Sequence, residues 1–315
     1  MIFLMVLSSA GAWAVGQNSL QRLLKGYIHP FRAHVGVAVI LNGRDTVTIN
    51  GDEAYPMAST YKFPQALAAL DKMGRRGIPL DSVIPVKKSD LHPNTHSPIR
   101  ELYPYGTNLS FAELLSFSLR ESDNNACDKI FSTLVTPAET NRYIRSLGIL
   151  GMHIATTELA MQRDMKNAYR NTSTPLAMAS LWNMFVSHPI IGGEYDAFLR
   201  QAVVNVKTGS DRLPAPFDSV QAIVGHKTGT GAVDYLGRRI AFNDAGFVIL
   251  PDGRYYAIAV FVKNSRETPV TNAAIIAGIS AIVYRYVTGY YGPELSHTFF
   301  PPIHSGVHPN LKLRF

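Results

Sequence analysis

Apolar residues first recur at a helical interval at Leu20, Leu23, Leu24 and Tyr27, which fall on one face, with Asn18 or Ser19 able to cap the helix. The period then changes. Residues 35–41 and 46–50, joined across Asn42-Gly43, read as a β-hairpin. From about residue 60 to 210 the pattern is helical. Ser110 and Glu113 form a capping box ahead of Leu114, Leu115 and Leu119. Thr136-Pro137-Ala138-Glu139 repeats the device with proline at the first helical position, and Gly148 stands where that helix should stop. Thr174-Pro175 opens another helix. Strand patterns return at 222–227, 245–250 and 255–263, the last two joined by a Pro251-Asp252-Gly253 turn, and a helix follows at about 271–286.

Strands at both ends and helices between them predict an α/β (α+β) fold. An antiparallel sheet would be built from the N- and C-terminal segments, with an all-helical domain inserted between. The expected division is a discontinuous sheet domain, 15–58 and 211–292, and a helical domain, 59–210, with a cleft between them as the natural ligand site. Residues 1–14 read as a secretory leader: 1–7 are apolar and Ala12-Trp13-Ala14 suits cleavage, although no Lys or Arg precedes the apolar run. The apolar stretch is too short to span a bilayer. A periplasmic or secreted monomer without a membrane anchor is therefore expected. Residues 293–315, with Pro301, Pro302 and Pro309, read as a surface tail.

Composition narrows the function. The chain has 315 residues, 46% hydrophobic and 17% charged, enough for a sizeable core. Its net charge of +7 is scattered without a basic run, which argues against nucleic acid as a partner. A lone cysteine, Cys127, excludes an internal disulfide and reads as a packed thiol. The ten histidines form no ligand cluster; His92 and His96, the closest pair, lie in a loop pattern, so neither a metal nor another cofactor is expected.

Three short strings carry chemistry: Ser59-Thr60-Tyr61-Lys62, Ser122-Asp123-Asn124 and Lys227-Thr228-Gly229. Each alone has an ordinary reading, as a helix cap with a surface charge, a polar helix connector, or a strand end. Lys-Thr-Gly even occurs twice, but at Lys207 it follows a helix-like run, whereas at Lys227 it follows Ala222-Ile223-Val224. Ser59 needs a base to become nucleophilic, and Lys62 would share its helical face. A lysine is almost fully protonated at neutral pH, so use as a base calls for burial or a nearby cation such as Lys227.

In order and spacing the three strings resemble the class A serine β-lactamases, over about residues 17–286. The resemblance implies that Ser59 is the nucleophile, with Lys62 or Glu158 starting acylation. Ser122 would pass a proton to the lactam nitrogen, and Asn124 would hold the substrate amide. Lys227, Thr228 and Arg212 would bind the substrate carboxylate, while Gly229 admits the acyl group and the N–H groups of Ser59 and Thr230 form the oxyanion hole. Glu158, 36 residues after Ser122 as is usual in that family, would activate the deacylating water. Gln162 and His96 would border the substrate. Thr156 and Asn171 stand where the family commonly has an Arg–Asp ion pair, so that brace of the Ω loop should be missing and the loop reshaped, as in an extended-spectrum, cephalosporinase-like branch. His226-Lys227-Thr228-Gly229 and Asn243-Asp244-Ala245-Gly246 resemble the same branch. The expected activity is metal-independent hydrolysis of cephalosporins and penicillins through an acyl-enzyme. A DD-peptidase or penicillin-binding protein, which generally lacks the counterpart of Glu158, and a non-catalytic β-lactam sensor are the alternatives.

Overall fold

The structure is a computed structural model that describes residues 10–217 and 220–289. Helix α1 (Ala10–Ile28) precedes the hairpin β1 (His34–Leu41) and β2 (Asp45–Ile49), turned by Asn42 and Gly43 at φ 48° and 72°. The helix begins earlier than expected, and Asn18 lies within it. Ala10, Ala12 and Ala14 have the strongest helix propensity and carry the helix back past the predicted cap. The predicted leader thus lies outside the described residues at 1–9 and within α1 at 10–14. The predicted tail, 293–315, lies outside them altogether.

After β3 (Tyr55–Pro56) and a 3₁₀ turn at Ala58–Tyr61, the chain enters α2 (Lys62–Arg76). Strand β4 (Val83–Lys87) and, beyond α3 (Pro98–Leu102), strand β5 (Gly106–Ser110) pair with each other. Helices α4 (Phe111–Arg120), α5 (Asn124–Thr133) and α6 (Pro137–Ser146) follow. Both predicted capping boxes form, at Ser110/Glu113 and Thr136/Glu139, and Gly148 takes φ 82° just past α6. Short β6 (Met152–His153) and β7 (Thr172–Ser173) close the neck of a surface loop that carries α7 (Glu158–Arg163). Helices α8 (Pro175–Ser187) and α9 (Gly193–Val204) then return the chain to the sheet. Lys207 follows α9 and pairs with Glu121, as its helix-exit reading implied.

The last strands, β8 (Ile223–Thr230), β9 (Phe242–Ile249) and β10 (Tyr255–Lys263), join the first hairpin in one antiparallel sheet of order β2-β1-β10-β9-β8. Helix α10 (Pro269–Thr288) ends the described chain. Both faces of the sheet are covered. On one side Val37, Val39, Ile258 and Val260 pack with Leu20 and Leu24 of α1 and Ile275, Ile276 and Ile279 of α10. Helix α10 is long and apolar enough to cross a membrane, but these residues are fully buried in the core. On the other side Ala38, Ala245, Ala257 and Ala259 are small, which lets α8 lie close to the strands. Trp182 of α8 stacks on Phe63 of α2 with ring centroids 3.5 Å apart and planes 4° from parallel. Helix α8 is therefore the shared core that fixes α2, and with it the turn at Ser59, against the sheet.

Helix α1 docks on α10 through Tyr27, whose hydroxyl donates to the Ala274 carbonyl at 2.8 Å. A Cβ at Gly278 would lie 2.0 Å from that hydroxyl. Gly278→Ala should thus force the helices apart and cost about 1–3 kcal/mol, as overpacking does. Calorimetric melting would check this; an unchanged Tm would mean that α1 does not dock through Tyr27.

Candidate active site

The turn at Ala58–Tyr61 is held from below. Asn243 of β9, fully buried, donates to the carbonyls of Pro56 and Met57 at 2.8 and 3.0 Å, and accepts from Val262 N–H at 3.1 Å. Ala58 takes φ 44°, a conformation that costs a non-glycine residue of order 1–3 kcal/mol and persists only where its surroundings fix it. Strand β8 presses on the same turn. A Cβ at Gly229 would stand 2.5 Å from the Met57 carbonyl and 3.1 Å from the Ser59 nitrogen, so only glycine fits there. Ser59 and Thr230 consequently line one cavity of about 300 Å³ with Asn124, Glu158 and Gln162.

Three residues after Ser59, Lys62 at the start of α2 is completely buried. Its Nζ donates to the Ser122 carbonyl at 2.8 Å and to Asn124 Oδ1 at 2.5 Å, and stands 3.3 Å from Glu158 Oε1. That Glu158 oxygen makes no hydrogen bond to the protein. Ser122 itself sits at φ 59°, where the α4–α5 turn aims its carbonyl at Lys62 and its hydroxyl at Lys227, whose Nζ donates to Ser122 Oγ at 2.9 Å and to the Thr228 carbonyl at 3.0 Å. Lys227 is fully buried, and burial, reinforced by Lys62, pushes its pKa well below the usual lysine value. Asp123 orders the turn. Its carboxylate accepts from Ala126 N–H as the cap of α5, from Ile99 N–H, and from Ser97 Oγ.

Next to Lys227, Arg212 is also buried. It donates to the Asn243 carbonyl at 2.9 Å and to Thr230 Oγ1 at 2.8 Å, and covers the Phe242 ring at 3.8 Å. Thr228 and Thr208 hydroxyls are 2.7 Å apart. Gln162 donates to the Pro93 carbonyl and so ties α7 to the loop on the opposite rim. The His96 ring bonds the Glu121 carbonyl at 2.8 Å, and His96 is not among the residues that line the cavity.

The loop bearing Glu158 has no ion pair between positions 156 and 171, in keeping with the sequence. In its place the buried Asn171 side chain accepts from Ala155 and Thr156 N–H at 2.8 and 3.0 Å and donates to the Thr156 carbonyl at 3.0 Å. The Asn171 carbonyl also accepts from Met57 N–H, which joins the loop neck to the strand that enters the Ser59 turn. Sequence reasoning did not single out Asp128. This residue sits one turn after Asn124 on α5, and its two oxygens accept from Glu158 and Leu159 N–H at 2.8 and 2.7 Å. It caps the helix that presents Glu158. The i, i+4 spacing from Asn124 was the available signal, but nothing in the sequence told which loop it would meet. Thr95, whose hydroxyl accepts from Asn124 Nδ2 at 2.6 Å, was missed for the same reason.

Known proteins resemble the chain throughout this region. Residues 17–287 match the family model described as the beta-lactamase enzyme family. A β-lactamase of Bacteroides uniformis is 39% identical over 85% of this chain and 90% of its own length, and the β-lactamase VEB-1 of Pseudomonas aeruginosa is 32% identical over 85% and 90%. The crystal structure of a representative class A β-lactamase from Bacteroides cellulosilyticus superposes with a TM-score of 0.83 at 39% identity, covering 87% of this chain and 99% of that one.

Asp128 gives the site a testable pH signature. Burial, with Glu158 nearby, pushes its pKa up from 3.8 to about 6. The folded chain therefore takes up this proton before the unfolded chain does. The ionised carboxylate costs stability above about pH 6, and the cost is relieved as pH falls towards 4. Asp128→Asn lacks this dependence. The stability of the parent relative to the variant should thus rise between about pH 7.5 and 4.5 in denaturant melts. A flat difference would mean that Asp128 is not an ionised cap.

Proposed function

The chain belongs to the class A β-lactamases, serine enzymes that open the lactam ring through an acyl-enzyme and confer antibiotic resistance, and from that premise we propose the role of each residue in the site. The matches give no support to the peptidase or sensor alternatives. The observation that carries the assignment is the convergence of Lys62, Ser122, Lys227 and Glu158 beside the turn that bears Ser59.

Ser59 attacks the lactam carbonyl. The N–H groups of Ser59 and Thr230 receive the oxyanion; such donors act on charge that develops only in the transition state. Lys62 and Glu158, 3.3 Å apart, form the basic pair that takes the Ser59 proton. Ser122, held by Lys227, passes a proton to the lactam nitrogen as the C–N bond breaks, so that the ring opens into a serine ester that still carries the amine. Lys227, Thr228 and Arg212 hold the substrate carboxylate, and Asn124 the side-chain amide. Glu158 then activates water against the ester, with its unbonded Oε1 as the acceptor. Gln162 and His96 border the substrate, His96 from the outer rim. We further place the lobes at 15–58 with 211–292 and at 59–210. The apolar start and Ala12-Trp13-Ala14 support export to the periplasm or beyond the cell.

Ser59→Ala should abolish the covalent penicillin adduct in intact-mass spectra; a full-size adduct on that variant would move the nucleophile elsewhere. Glu158→Gln should still acylate but stall, with turnover down by roughly 10²–10⁴ and the adduct accumulating. Parent-like turnover would make another group the base, and Asp164 would be the next candidate.

The cavity also bears on substrate breadth. It continues from Ser59 between Met161, Met165 and Ala168 on one wall and Ile240 and Ala241 on the other. Flexible methionines make a yielding wall. First-generation cephalosporins should therefore be good substrates and some oxyimino cephalosporins accepted, as judged by kcat/KM for a small penicillin, a simple cephalosporin and cefotaxime. A strong penicillin preference with inert cefotaxime would refute the wide-cavity reading.

A further inference from the structure

Behind the Lys227 strand lies a buried pair that none of the steps above uses. His226 Nδ1 lies 2.9 and 3.0 Å from the two oxygens of Asp244, and both residues are almost wholly buried. A carboxylate only accepts, so Nδ1 carries the proton. Leu213 N–H adds a second donor to Asp244 at 3.2 Å. The register sets Thr228 opposite Asp244 and His226 opposite Gly246, so these side chains share the sheet face that carries Thr230 and meets Arg212, while Lys227 points to the other. Gly246 makes the pair possible. A Cβ there would fall 2.7 Å from His226 Cβ and 2.1 Å from the Gly225 carbonyl.

We propose that Asp244 and His226 are a positioning unit for the substrate-carboxylate clamp: Asp244 supplies the buried negative charge behind Lys227 and Arg212, and His226 fixes its orientation. Of the charged groups around Lys227, Lys62 from α2 and Glu158 from α7 lie on its own side of the sheet, and Arg212 from the segment before β8 and Asp244 from β9 lie behind the strand. Burial and Lys62 oppose its protonation; of the two carboxylates that favour it, Asp244 is the stronger, ahead of Glu158. Asp244 also heads the groups that support the charge of Arg212. Without Asp244, two buried cations lie on either side of β8 with only the Glu158 carboxylate and the exposed Asp211 to offset them, and Lys227 gives up its proton first. A neutral Lys227 no longer attracts a carboxylate.

The inference rests on Lys227 and Arg212 holding the substrate carboxylate, so the experiment compares one cephalosporin with its methyl ester. At pH 8, Asp244→Asn should raise KM for the acid, by up to about tenfold for each unit of pKa that Lys227 loses, and leave the ester near the parent value. Lowering the pH to 6 should restore the acid preference. His226→Asn, whose amide nitrogen replaces Nδ1, should retain most of that preference, whereas His226→Leu should lose it. Equal losses on acid and ester, or no recovery at low pH in variants of parent-like Tm, would overturn the proposal. If Asp244→Asn does not fold, the two His226 variants decide by the same comparison. A parent enzyme that treats acid and ester alike would overturn the clamp and the positioning unit together. A parent that discriminates, beside variants that discriminate equally well, would overturn the positioning unit alone.

Discussion

Two ammonium groups, those of Lys62 and Lys227, are removed completely from water, and much of the architecture exists to make that tolerable. The effective penalty for burying an ion is several kcal/mol, repaid only where hydrogen bonds and opposite charge are well placed. Here the repayment is divided between the helices and the sheet. Lys62 belongs to α2 and is satisfied by Ser122, Asn124 and Glu158. Lys227 belongs to the sheet and reaches across to Ser122. Drawing the sheet away from the α4–α5 turn would strand a buried charge, so this contact resists opening for an electrostatic reason as well as through the Trp182–Phe63 packing.

What could be read from sequence divides along physical lines. Helix starts and stops were visible at Ser110, Thr136, Thr174 and Gly148, because capping chemistry is local. The strands of the sheet were visible by their apolar runs and their turns. The three strings that converge on the cleft were visible as a set, since their residue types have few joint uses. The N-terminal helix was placed too late, because its alanine-rich beginning carries helix propensity without an amphipathic pattern. Asp128, Thr95 and the Asp244–His226 pair escaped notice, or had no role assigned, because each acts through a partner far away in the chain. Asp128 meets the backbone of Glu158, and Asp244 meets His226 across a strand register that only the folded sheet defines.

The loop that carries Glu158 is anchored at two points of different chemistry. Its neck is tied by a neutral amide, Asn171, whose bonds to Ala155 and Thr156 do not depend on salt or on protonation in the neutral range. Its helix is tied by a half-buried carboxylate, Asp128. The familiar alternative, an ion pair across the neck, would have to pay for desolvation of both partners. The amide gives up Coulombic strength and gains independence from the medium, and pH sensitivity moves to the other anchor.

Strand β8 has a consequence for how this enzyme can change. Gly225 and Gly229 flank Lys227 on one face; a methyl group at the first would strike the Phe247 ring at 2.4 Å, and at the second the Met57 backbone at 2.5 Å. Neither glycine on that wall of the cleft can be enlarged singly, because a larger residue collides with the core or with the turn that bears Ser59. The facing wall is free of that restriction: Met161 and Met165 rest on a loop whose anchors lie elsewhere. Under a shifting supply of antibiotics, heritable variation in substrate range is therefore channelled to one side of the cleft, with the strand as the invariant template against which new loop sequences are tried.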